Sequence, residues 1–241
     1  VYFRDRWIEV DRGILKEALR ALEKGVGKNA NALTFALGIG HVGALEIEEV
    51  KSHGWLRGLV EELRSTSCLP PSVSSPFPIP GFKGELRAYQ RRGVEWLRFL
   101  TEHGFGALLA DDMGLGKTLQ AITFLLSKAE KGPSLVVAPK SVIPNWCTEV
   151  EKFAPSLSVT VLNDTRDRQM TLEEAGPFAM ILCTYGVLTS ESAALTSKKW
   201  NVVCLDEAHQ IKNRNTQVSQ AAMSIKAYSR LLLTGTPLQN H

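Results

Sequence analysis

Ala107-Leu108-Leu109-Ala110-Asp111-Asp112-Met113-Gly114-Leu115-Gly116-Lys117-Thr118 reads as a short buried strand, a glycine-rich turn and the start of a helix. The unpunctuated run Ala107–Ala110 suits a strand covered on both faces. Gly114 and Gly116 allow backbone conformations that turn successive N–H groups inward as an anion nest. The helical pattern over 117–130 brings its positive end to the same point. Lys117 is placed to reach outer phosphates and the Thr118 hydroxyl to bind Mg²⁺, with Asp112, Met113 and Leu115 completing the loop around a nucleotide. The general phosphate-loop pattern has glycine where this chain has Asp111.

Working outward, the same short apolar runs recur at Leu135–Ala138, Val159–Leu162, Met180–Cys183, Val202–Leu205 and Leu231–Leu233. Helical patterns at 144–153, 187–195 and 215–226 lie between most of them. Strand–helix alternation predicts an α/β fold, a parallel sheet between two helical layers. Ligands of such sheets sit at the carboxyl ends of the strands, so the residues that follow each strand are the candidates for function.

Val202–Leu205 runs into Asp206-Glu207-Ala208-His209. An aspartate at the end of a buried strand, beside a phosphate loop, can join the Mg²⁺ shell. The adjacent Glu207 is placed to orient and deprotonate a water. His209 is read as coupling the carboxylates to a neighbouring element. Leu231–Leu233 ends in Thr234-Gly235-Thr236-Pro237, and Thr234 and Thr236 are read as a relay near Glu207 and His209 or as a turn with satisfied hydroxyls. Leu86-Arg87-Ala88-Tyr89-Gln90 starts the helix before the phosphate-loop strand. The Gln90 amide either pairs with the N6 and N7 edge of adenine or is a solvated surface group.

The rest of the chain bounds the problem. Its 241 residues are 44% hydrophobic and 22% charged, enough for one large or two modest domains. No uninterrupted apolar run approaches the roughly 20 residues that cross a bilayer, and the start, Val1-Tyr2-Phe3-Arg4-Asp5-Arg6, lacks the apolar centre of a signal peptide. With no initiator Met, the chain reads as a piece of a longer protein. Cys68, Cys147, Cys183 and Cys204 form no C-x-x-C pair, which excludes zinc-knuckle and redox readings. A net charge of +3 permits nucleic-acid binding without arguing for it. Apolar stripes over residues 13–24 and 50–64 predict short amphipathic helices. Pro70, Pro71, Pro76, Pro78 and Pro80 exclude regular structure between them. The expected division is therefore a helical accessory region at 1–68, a proline-rich linker at 69–82 and the α/β domain at 83–241.

In order along the chain these motifs resemble superfamily 2 helicase-like motors, and within them the SWI2/SNF2 family. The residues that carry the likeness are Leu86–Gln90 with Gly93 and Trp96, Ala110–Thr118, Val137–Ser141 with Asn145-Trp146, Thr184-Tyr185-Gly186, Asp206–His209 with Ile211-Lys212-Asn213, and Leu231–Asn240. An acidic residue at position 111 is usual there. The resemblance implies the first RecA-like lobe of a P-loop NTPase, with ATP and Mg²⁺ as cofactors. It puts Arg87 and Gln90 with the nucleotide, Lys117 and Glu207 in catalysis, and Thr118 and Asp206 at the metal. It also implies a translocase on double-stranded DNA that remodels or displaces DNA-bound proteins, at the bacterial nucleoid in the cytoplasm. Pro139, Lys140, Ser141, Asn145, Thr184 and Tyr185 match the DNA-facing motifs, where donors to phosphate position without reading sequence. Lys140 departs from the apolar residue common there and is either a further phosphate contact or a solvated lysine. Trp146 is read as core packing.

The family motor has a second RecA-like lobe in cis with arginine fingers, which contribute about 10³- to 10⁵-fold in rate in related NTPases. This chain, which stops just after the Thr234–Pro237 motif, is expected to hydrolyse ATP very slowly by itself. Two other readings stand beside the translocase: a strand-separating DNA or RNA helicase, and a non-catalytic nucleotide-binding module.

Overall fold

The computed structural model describes residues 79–102, 104–163 and 167–235, together with the backbone of residues 2–3 and 6–7. The chain divides into two compact units, Val1–Ser72 and Val73–His241. In the first, β1 (Tyr2–Phe3) pairs antiparallel with β2 (Arg6–Trp7). The helices expected at 13–24 and 50–64, and most of the linker, lie outside the described residues.

The second unit opens with α1 (Ala88–Glu102), followed by β3 (Ala107–Leu109), α2 (Lys117–Lys128), β4 (Ser134–Val137) and α3 (Ile143–Phe153). Then come β5 (Ser158–Val161), α4 (Arg168–Glu174), β6 (Ala179–Cys183), α5 (Tyr185–Ser190) and α6 (Ser192–Ser197). It closes with β7 (Lys199–Leu205), α7 (Gln217–Ser224) and β8 (Lys226–Leu233). The six strands from β3 onward form one sheet, ordered β3-β8-β7-β4-β6-β5, with every pair parallel.

Side chains alternate across this sheet with the period of a strand. Val136, Leu182, Val202, Cys204 and Leu231 face a core formed with Val94, Leu97, Ile122, Phe124, Trp146 and Val150 of α1, α2 and α3. Leu135, Val137, Ile181, Trp200, Val203 and Leu205 face the other, formed with Leu172, Leu188, Leu195, Ala221 and Ala222 of α4 to α7. This three-layer α/β architecture is the expected one. Cys183 and Cys204 are buried in it as small apolar groups, and burial pushes the Cys183 thiol up to about 12.

Two elements differ from the sequence reading. The single helix expected at 187–195 is two, broken at Glu191. Thr189 donates its hydroxyl to the Tyr185 carbonyl at 3.0 Å and Ser190 to that of Val187 at 3.3 Å, competing with the helical ladder. Glu191 is held aside by Arg168 at 2.7 Å. Helix α4 carries no strong periodicity; it forms because the Asp167 carboxylate accepts the Met170 N–H at 2.9 Å and Leu172 anchors it in the core. Among the described residues no helix is long and apolar enough to cross a membrane.

Candidate nucleotide-binding site

The loop after β3 has the conformation its glycines allow. Gly114 has φ +84° and Gly116, the residue before α2, has φ +76° and ψ +41°. Both lie in the left-handed region that side chains other than glycine's rarely enter. Lys117 begins α2, and its ammonium donates to the carbonyls of Asp111 at 2.7 Å and Asp112 at 2.9 Å. The Asp111 carboxylate accepts from the buried Gln120 amide at 3.0 Å, tying the strand end to α2. That contact gives the aspartate at this position a structural task.

Helix α1 braces the loop from below. Gln90 is buried; its amide nitrogen donates to the Leu115 carbonyl at 3.2 Å and its oxygen accepts the Arg87 N–H at 3.0 Å. Tyr89 donates to the same Leu115 carbonyl at 3.3 Å. Gln90 is thus a bracket between its own helix start and the phosphate loop, not a solvated surface group. The fit is close: a Cβ at Gly116 would sit 2.5 Å from the Gln90 amide nitrogen. Arg87 is exposed beside it, Asp112 and Met113 stand out from the loop, and Thr118 is half-buried in the first turn of α2.

Asp206 follows β7 and is gripped from both faces of the sheet. From the first face, the fully buried Trp146 donates its indole N–H to Asp206 Oδ2 at 2.9 Å. From the second, the Tyr185 hydroxyl donates to the Asp206 carbonyl at 2.6 Å. The Asp206 N–H donates to Val137 at 2.8 Å, and Oδ1 accepts the Glu207 N–H at 2.9 Å. Burial pushes the Asp206 carboxyl above its ordinary range. The Trp146 and Glu207 N–H bonds and the Lys117 ammonium oppose that shift, whereas the Glu207 charge adds to it. Glu207 has φ +50°, rare for a residue with a side chain and a mark of backbone held under constraint. Its Oε2 lies 3.2 Å from His209 Nδ1, both side chains partly exposed.

Strand order brings the three motifs together. β8 lies between the phosphate-loop strand and the carboxylate strand, with Leu233 beside Leu109 and Leu232 beside Leu205. Thr234 is buried and its N–H donates to Leu109 at 3.2 Å. A Cβ built on Gly235 would lie 3.8 Å from Lys117 Nζ, so the loops after β3 and β8 touch. Thr236 lies outside the described residues.

Among the described residues no group of three or more His, Cys, Asp or Glu stands ready to enclose a metal. Asp206 and Thr118 offer hard oxygens, and a carboxylate raised by burial and by its neighbour Glu207 is relieved by a cation. Such a donor set fits Mg²⁺ held largely by phosphate and water.

The residues expected to face DNA divide. Lys140, Ser141 and Asn145 are exposed where α3 begins, with Asn145 bonded to Glu149 at 2.9 Å. Pro139 is half-buried, and its carbonyl accepts the Val142 N–H at 3.0 Å, forming the turn that presents them. The Thr184 hydroxyl is taken up as the cap of α5, accepting from Val187 N–H at 3.3 Å and from Asn163 at 3.2 Å. Tyr185 is a correction: it is buried and directed at Asp206, because its ring belongs to the core under β7. The sequence reading also missed Trp146 as a partner of Asp206; the only local signal was that a buried indole N–H needs an acceptor.

The profile of the SNF2-related domain matches residues 89–241. This chain belongs to the SNF2-related family. A Bacillus subtilis relative, "Putative ATP-dependent helicase/translocase YwqA", is 36% identical across 100% of this chain and 28% of its own length. The "ISWI chromatin-remodeling complex ATPase ISW1" of Saccharomyces cerevisiae is 39% identical over 66% of this chain and 15% of its own. The solved "Sulfolobus solfataricus SWI2/SNF2 ATPase core in complex with dsDNA" superposes with a TM-score of 0.61 and 41% identity, covering 68% of this chain and 34% of that one. The SNF2-related chain therefore spans between about a seventh and a third of the length of these relatives, and its α/β unit has the RecA-like fold of that ATPase core.

Proposed function

We propose that this SNF2-related lobe is the ATP-binding half of a motor that translocates on double-stranded DNA and displaces proteins bound to it. The observation that carries the reading is the meeting of Lys117, Gly235, Asp206 and Glu207 at the carboxyl ends of three adjacent strands. Gly114, Gly116 and the first N–H groups of α2 cradle the phosphates, and Lys117 leaves its loop carbonyls for the outer ones. Asp206 and Thr118 would hold Mg²⁺, which neutralises phosphate charge when bound. Glu207 orients the attacking water and takes up its proton, and His209 holds the Glu207 carboxylate. Thr234 and Thr236 carry the change at the phosphates toward β8, and Gln90 stiffens the loop so that Arg87 flanks the base.

Lys140, Ser141 and Asn145 supply phosphate donors on one exposed turn, which favours backbone tracking over base readout. The double-stranded DNA of the Sulfolobus complex supports a duplex as the track.

The test is Glu207→Gln in the full-length protein. Retained ATP binding with turnover reduced at least about 100-fold is the expected result; unchanged turnover overturns the role of Glu207, and ATP binding without turnover in the wild-type protein leaves a non-catalytic module. Stimulation that grows with duplex length, without fork unwinding, supports translocation, and unwinding at a fork replaces it with a strand-separating helicase.

A further inference from the structure

Asp206 is held more firmly than a metal ligand needs for packing alone. Its N–H, its carbonyl and both carboxylate oxygens each have a partner, drawn from β4, α5, α3 and its own neighbour. Three of these involve main chain of Asp206 or of Glu207, and of the three only the Tyr185 bond depends on a side chain from elsewhere, holding the carbonyl and not the carboxylate. The fourth, from Trp146 to Oδ2, is the one contact that fixes the carboxylate by a side chain from elsewhere, 60 residues away in sequence.

We propose that Trp146 is a positioning residue for the metal-side carboxylate: its indole N–H pins Asp206 Oδ2 so that the remaining lone pairs face the nucleotide's divalent cation. The inference rests on the reading of Asp206 as that cation's protein ligand. A carboxylate has about four acceptor sites. With one on each oxygen taken, by Trp146 and by the Glu207 N–H, rotation of the carboxylate plane is stopped and the free sites keep a single direction. The indole itself is locked: Trp146 is fully buried in the core among α1, α2 and the sheet, so the N–H cannot follow a carboxylate that swings away.

The placement of Trp146 gives this bond a second consequence. It lies in the first turns of α3, one residue after the exposed Asn145 and five after Ser141 of the exposed turn that precedes the helix. One side of the helix start faces solvent with phosphate-seeking donors while the other holds the carboxylate. The start of α3, with its exposed donors, is thus joined to the Asp206 carboxylate by one hydrogen bond.

The experiment uses the full-length protein and a fluorescent ATP analogue. Two variants remove the N–H: Trp146→Phe, and a chain with β-(3-benzothienyl)alanine at 146, which keeps the ring size and replaces N–H by sulfur. Binding of the analogue is followed as Mg²⁺ is titrated, and bound Mn²⁺ is counted by electron paramagnetic resonance. The expected result is a roughly 10-fold rise in the half-saturating metal concentration for both variants, with affinity for the analogue in EDTA unchanged. If Trp146→Phe does not fold, the isostere decides. A wild-type metal midpoint in the isostere, with a raised midpoint in Asp206→Asn, overturns the positioning role and leaves Trp146 as packing. An unchanged midpoint in Asp206→Asn overturns the reading of the site as well.

Discussion

The Tyr185 hydroxyl donates a 2.6 Å hydrogen bond to the backbone carbonyl of Asp206, joining the start of α5 to the end of β7. The two residues come from motifs that sequence reading assigns to different tasks, DNA contact and metal binding. The buried ring makes the tyrosine part of the carboxylate's support. Tyr185→Phe is expected to lower stability by about 1–2 kcal/mol, because a buried carbonyl loses its donor. Urea denaturation checks the cost. The salt dependence of DNA binding by the variant stays that of wild type; a drop in its slope of about one would return Tyr185 to the DNA surface.

Asp206 exchanges stability for function. Its carboxyl is raised by burial, so the native state favours the protonated form, and that contribution is lost as pH rises from the ordinary carboxylate range through the raised native value. Asp206→Asn removes the charge but sets an NH2 against the N–H of Trp146 or of Glu207, a cost that does not vary with pH. The thermal midpoint of the nucleotide-free variant, relative to wild type, is expected to shift in the variant's favour by roughly 2–4 °C between acidic pH, where the wild-type carboxyl is neutral in both states, and pH 7. Calorimetry at several pH values reads this directly, and a difference that stays constant with pH contradicts it.

Gly93 is a packing residue. A Cβ there would lie 1.9 Å from Gln120 Oε1, and Gln120 is the buried amide that holds Asp111. Gly93→Ala is expected to cost about 1–3 kcal/mol through overpacking of α1 against α2. Nucleotide affinity falls with it, since the displaced amide releases the end of β3. Denaturation and nucleotide titration on the same variant check both parts; a loss of stability with wild-type affinity separates Gly93 from the site.

Lys140 tests the track. Lys140→Gln is expected to weaken binding to duplexes of different sequence by a similar factor and to lower the salt slope by about one. Fluorescence anisotropy at several salt concentrations is the measurement. Unchanged affinity makes Lys140 a solvated lysine, and sequence-dependent loss contradicts backbone tracking.

Much of this lobe is legible in one sequence. The strands at 107, 135, 180, 202 and 231 announce themselves because chains buried on both faces carry unbroken apolar runs. Gly114, Gly116 and Lys117 announce a phosphate loop because only glycine takes those backbone angles at low cost. Less legible are α4, held by the Asp167 cap and a single anchoring leucine, and the break at Glu191, set by hydroxyls competing for helix carbonyls.

By itself, the sequence determined the α/β class, the phosphate loop and the carboxylate pair, since each rests on residue spacing within one strand and its following turn. Only the tertiary structure decided that β8 lies between β3 and β7, placing Gly235 against Lys117. It alone decided that Trp146 and Tyr185 converge on Asp206, and that Gln90 braces Leu115. The physical reason is that strand order and long-range hydrogen bonds follow from how helices cover a sheet, and a bond spanning 60 residues leaves no periodicity in the chain.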